Sequence, residues 1–112
     1  MARKRVPVTK ELFDNAHPRS AHHCLLSEAA NLHVKDGVEI VTQPYGDAPH
    51  MTFYFSQSEE WHAPIEVPLS RRSIMIAKQF DKVEDDYTTA LYKTWVGRVL
   101  IFDVPDEAAK DE

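Results

Sequence analysis

The residues best suited to chemistry lie close together: His17, then His22, His23 and Cys24, with His33, His50 and His62 elsewhere in the 112-residue chain. Imidazole and thiolate are the usual ligands of zinc, and a Cys with a nearby His is the pairing of many nucleophilic enzymes. Spacing argues against both. On the helix expected here His22 and His23 diverge by about 100°, and Cys24 falls on the apolar side, away from His22. A thiol among apolar neighbours is poorly ionised. The acid pairs Glu59-Glu60 and Asp85-Asp86 sit among other charges, as solvated loops do, and Gly37, Gly46 and Gly97 are too isolated to cradle a phosphate. No catalytic, cofactor-binding or metal-binding residue is assigned, no cofactor is expected, and the reading leans away from an enzyme.

Cations and aromatic rings supply the two binding chemistries. Arg3, Lys4, Arg5, Arg19 and the pair Arg71-Arg72, extended by Lys78 and Lys82, can form one positive face for nucleic-acid phosphates. Arg71 and Arg72 are notable because they fall in the first turn of an expected helix, where the dipole favours acids. Trp61, in a polar loop, and Tyr45, in an expected hairpin loop, lie where a fold has little need of them, and exposed aromatics are favoured anchors at protein interfaces. Trp61 has an alternative, which is to fold back over the sheet edge.

Composition narrows the setting. Hydrophobic residues make up 43% and charged residues 28%, as in ordinary globular domains, and no apolar run approaches the roughly 20 residues of a membrane span. With Cys24 the only cysteine, no intrachain disulfide can form, which fits a reducing compartment. The basic start MARKRVPVTK has no apolar segment behind it, so it does not read as a secretory signal, and a cytoplasmic location is expected. The net charge of −5 is unevenly spread: Asp103, Asp106, Glu107, Asp111 and Glu112 face only Lys110, whereas Arg3, Lys4, Arg5, Lys10 and Arg19 outnumber Glu11 and Asp14. The chain is electrically polarised from end to end.

The elements that position these residues follow from periodicity. Ser20 to Val34 reads as the central helix, with Ser20 as N-cap, Ala21, Cys24, Leu25, Ala29 and Leu32 on its buried side, and His22, His23, Ser27 and Asn31 outside; Lys35-Asp36-Gly37 ends it. Before it, Val6 and Val8 suit a short edge strand, and Thr9 caps a helix through Ala16 with Leu12, Phe13 and Ala16 inward. After Gly37 the period drops to two: Val38 to Gln43 and Met51 to Phe55 form a hairpin around Pro44-Tyr45-Gly46-Asp47, and Ile65 to Leu69, bracketed by Pro64 and Pro68, adds an edge strand. Ser70 opens a helix through Val83 whose stripe includes Ile74, Ile76, Ala77, Phe80 and Val83. Glu84 to Asp86 is an acidic turn or helix start, Tyr87 to Val96 is weakly helical, and Val99 to Val104 looks like a central strand of the same sheet.

Two segments, SAHHCLLSEAANLHVKDGVEIVTQ and IEVPLSRRSIMIAKQFD, together resemble a group of small uncharacterised proteins of actinobacteriophages, over roughly half of the chain. Residues Lys82 to Trp95 and the acidic tail depart from that pattern. The resemblance implies an α+β fold and a phage accessory role in a bacterial host cell, and carries no activity with it.

The expectation is therefore one α+β domain over residues 1–104, a small antiparallel sheet with two main helices packed on one face, preceded by a basic flexible arm at 1–5 and followed by an acidic tail at 105–112. Its expected function is non-enzymatic binding of a host or phage protein through Tyr45 and Trp61. The alternative is nucleic-acid binding through Arg3, Lys4, Arg5, Arg19, Arg71 and Arg72. No membrane partner is expected, and a homodimer stays open.

Overall fold

The computed structural model describes residues 1–59, 61–83 and 93–110. In chain order the elements are β1 (Ala2–Pro7), α1 (Lys10–Asn15), α2 (Leu25–Asn31), β2 (Glu39–Gln43), β3 (His50–Tyr54), β4 (Ile65–Pro68), α3 (Arg71–Asp81) and β5 (Val99–Val104). The protein is α+β with antiparallel strands throughout, as its periodicities require. The strands form two sheets rather than one: β2-β3-β4, and β1 paired with β5.

The three-stranded sheet is the expected meander. Val38, Ile40 and Thr42 are buried at period two, Gln43 faces His50 across the β2–β3 hairpin, and Phe53 faces Ile65 across β3 and β4. Pro68 ends β4, an edge strand. Val99 to Val104 is not a central strand of that sheet. Its burial alternates, with Leu100, Phe102 and Val104 inward, which is the signature of an antiparallel strand covered on one face.

Of residues 1–5, expected as a flexible arm, residues 2–5 instead belong to β1, in a register that runs from Ala2 opposite Val104 to Pro7 opposite Val99. The described part of the acidic tail is packed as well. Ala108 is buried, Lys35 N–H donates to its carbonyl at 3.0 Å, and Val34 bridges to Ala109. The opposite charges noted at the two chain ends meet: the Met1 ammonium lies 3.1 Å from Asp106, and Arg3 Nε lies 3.3 Å from Asp103.

The central helix is shorter than its periodicity predicts. Ala21 C=O, which a continuous helix would use internally, accepts from Thr42 N–H at 2.9 Å and from Ser27 Oγ at 2.7 Å. His23 C=O likewise accepts from His17 N–H at 2.7 Å. With those carbonyls taken from outside, the backbone at 21–23 turns, and Cys24 rather than Ser20 becomes the N-cap. Ser27, expected outside, is buried and shares a 2.7 Å hydrogen bond with Thr42 Oγ1, while Leu32, expected inside, is 57% exposed.

Even shortened, α2 remains the hub, touching α1, α3, β2 and β5. Thr9 and Ser70 cap α1 and α3 as expected, their hydroxyls accepting from Leu12 N–H and Ser73 N–H. Phe13, Phe80 and Trp95 close the core between α1, α3 and the approach to β5, with ring centroids 5.6–6.3 Å apart. Residues 93–95 are helical and Val96 is in a turn, outside the helix; residues 87–92, together with Glu60 and the Asp85-Asp86 pair, lie outside the described residues.

Gly37 fixes the turn into β2. At φ 86° it sits in the left-handed region, and a Cβ there would meet the Gln57 carbonyl oxygen and lie 2.7 Å from Ser58 N. Gly46, at φ 94°, has open space around it. Urea denaturation should therefore show Gly37→Ala losing roughly 2–5 kcal/mol, from strain plus overlap, against about 1 kcal/mol for Gly46→Ala. Equal losses at the two positions would contradict the packing of the 55–59 loop on this turn.

Candidate functional site

Period two on β1 puts Arg3 and Arg5 on one face, opposite Asp103 and Ile101 of β5. Lys4 stands on the other face, opposite Phe102, and is half-buried. The outer edge of β5 meets α3: Ser73 Oγ donates to Ile101 C=O at 2.6 Å, which brings the exposed Arg71 and Arg72 of the first helical turn to the same strand. Arg3 and Arg72 consequently line one cleft of about 140 Å³, between β5 and the β4–α3 junction. Residues almost seventy positions apart in sequence thus form one cationic face.

Among the described residues, little neutralises that face. Arg3 has Asp103, but the pair is exposed and long, and exposed ion pairs contribute only about 0–1 kcal/mol. The side chains of Arg5, Arg71 and Arg72 make no ion pair or hydrogen bond among the described residues, and the first turn of α3 contains no acid. The positive end of the helix dipole adds to the same field.

Arg19 is not part of this face. Its N–H donates to Asp81 Oδ1 at 3.0 Å, and its guanidinium donates to the Asp81 and Val83 carbonyls at 2.9 and 3.0 Å, so it closes the C-terminus of α3. That end lies a full helix length, about 16 Å, from Arg71. Arg19 does this from a left-handed backbone, φ 62°, which few non-glycine residues adopt.

Tyr45 and Trp61 do not share a surface either. Tyr45 lies in the β2–β3 loop and Trp61 in the β3–β4 loop, so the length of β3, about 17 Å, separates the ends that carry them. Tyr45 is 54% exposed yet held: its hydroxyl donates to Asp81 Oδ2 at 2.8 Å, and Lys78 Nζ lies 5.5 Å from the ring centre. Trp61 is 76% exposed, with no hydrogen bond or ring contact among the described residues. It does not fold back over the sheet.

Residues 21–23 form a turn and not a helix, and three of the histidines lie near one another there. His23 has ring centroids 6.1 Å from His17 and 6.4 Å from His22, and its Nδ1 lies 2.9 Å from Glu28 Oε1. Among the described residues no three His, Cys, Asp or Glu side chains are arranged to hold a metal ion. Cys24 is buried, its Sγ 3.6 Å from Ser27 Oγ. Among the described residues no helix is long and apolar enough to cross a membrane.

A shared positive face of Arg3, Arg5, Arg71 and Arg72 is an expectation of the sequence, but the pairing of β1 with β5 that brings Arg3 and Arg72 to one cleft is not legible there. The signal available was the opposite charge of the chain ends. Compared with known proteins, the chain matches no family model, no curated protein and no solved structure.

The hydrogen bond to Asp81, then desolvation and the charge of Asp81, raise the Tyr45 pKa above the ordinary phenol value. Because the folded state holds this proton more tightly, the stabilisation is complete below the ordinary phenol pKa and is lost as pH rises through the raised one. Ultraviolet pH titration should show Tyr45 ionising above the ordinary phenol range, and Asp81→Ala should lower its midpoint; identical titrations in the two proteins would contradict the Tyr45–Asp81 hydrogen bond.

Proposed function

We propose that the chain is a non-enzymatic binding protein whose arginine face takes the phosphate backbone of nucleic acid. One observation carries the reading: Arg3, Arg5, Arg71 and Arg72, supplied by two distant segments, gather around Ile101 and Asp103 with a single acid paired among them in the described residues. Guanidinium groups suit phosphate in both charge and shape. The protein as a whole is negative, at −5, which opposes approach of a polyanion. At physiological salt, however, charges separated by more than about 8 Å are largely screened, so the local face dominates close contact. Asp103 offsets part of its charge.

Binding to short DNA and RNA, measured by fluorescence anisotropy across a salt series, should weaken with a slope of roughly −3 to −4 in log K against log salt, as expected for about four phosphate contacts. Arg71→Ala with Arg72→Ala should weaken binding to all sequences alike and flatten the slope by roughly one to two. Absence of binding at low salt, or a slope near zero, would overturn the reading.

A protein partner is the second reading, favoured by Trp61, a large aromatic side chain left in solvent by a fold that buries its other tryptophan. The phage accessory role implied by the resemblance is compatible with either partner and is itself part of the proposal. Affinity capture from bacterial host lysate should recover a specific protein that Trp61→Ala loses. Equal recovery with the two proteins, or none, would remove Trp61 as an anchor.

A further inference from the structure

We infer that the cleft beside the arginine face receives a single unstacked nucleobase, so that the preferred ligand is single-stranded rather than duplex nucleic acid. The inference rests on the arginine-face reading and extends it from charge to shape. The cleft measures about 140 Å³, and a cavity near 150 Å³ holds one benzene-sized ring. Met51, Val67, Leu69 and Phe102 line it with apolar atoms, and Arg3, Arg72, Ser70 and Asp103 supply polar groups. That is the composition of a site for a flat heterocycle: an apolar bed for the ring, with donors and an acceptor for its edge.

The cleft is built from rigid parts. Met51 and Val67 are neighbours across β3 and β4, Phe102 belongs to β5, and the capped first turn of α3 is tied to β5 by Ser73. Its shape therefore follows from the fold and need not form on binding. A base paired inside a duplex cannot enter so narrow a space without leaving its stack, which costs a few kcal/mol, whereas a single strand offers its bases freely. Arg3 and Arg5 lie two residues apart on an extended strand, about 7 Å, and can follow a backbone past the cleft mouth. An aromatic residue of an acidic peptide has a ring of similar size, but its hydrocarbon edge leaves the rim without hydrogen-bonding partners, and it lacks the regularly repeated charge that suits several arginines.

The test uses the full chain and four fluorescent probes at low salt: a twelve-residue oligothymidylate, an abasic-spacer strand of equal length, a hairpin duplex, and an acidic peptide containing one Phe. Oligothymidylate should bind at least about tenfold tighter than the abasic strand. Leu69→Trp, which fills the cleft, should abolish that difference while leaving abasic-strand affinity unchanged. The wild-type comparison of oligothymidylate with the abasic strand stands even if the variant fails to fold. Equal affinity for those two strands, or a preference for the duplex, would overturn the base site and leave the arginine-face reading intact. No binding of any nucleic acid would overturn both, and binding of the peptide alone would assign the cleft to a protein.

Discussion

The pairing of β1 with β5 is the constraint on which the rest of the structure depends. It joins the two ends of the chain over six residue pairs, and its inner side chains, Val6, Leu100, Phe102 and Val104, form one wall of the core. Two-stranded ribbons are marginal by themselves and need a packed face. Helices α2 and α3 supply it, both lying against β5. The outer side of the ribbon is less buried, and it is there that Arg3 and Arg5 stand.

Helix α2 joins this ribbon to the meander. It packs on β2 as well as β5, and the hydrogen bonds from Thr42 N–H to Ala21 and between Ser27 and Thr42 fix its start against the sheet. Buried hydroxyls are expensive unless paired, so this network sets position as well as contributing stability. Because α3 is held by Ser73 at one end and by Arg19 at the other, the orientation of Arg71 and Arg72 is inherited from the core. Exposed cations of this kind owe their proximity to buried contacts elsewhere.

Features governed by neighbouring residues were legible in the sequence. Thr9 and Ser70 announce helix starts because a cap needs only its own hydroxyl and amides two or three positions on. The meander was readable because period-two burial and the Pro-Tyr-Gly-Asp turn are local signals. The start of α2 was not, since Ala21 is claimed by a donor from β2 that no helical periodicity reveals. The partner of β5 was equally hidden: its alternation shows one buried face but cannot say which strand it meets. Of the candidate site, the exposure of Trp61 and the misplaced arginines of α3 could be seen in advance. The separation of Arg19 from the other arginines could not, because it follows from the tertiary position of Asp81.

Two distant basic segments are proposed to make one binding surface. Amide chemical-shift mapping during titration with a short oligonucleotide at low salt tests it most directly. Residues 3–5, 71–73 and 101–103 should shift together, with a common affinity, while the Trp61 indole and the 44–49 loop stay in place. Shifts centred on Trp61, or shifts at residues 71–73 without any at 3–5, would contradict it.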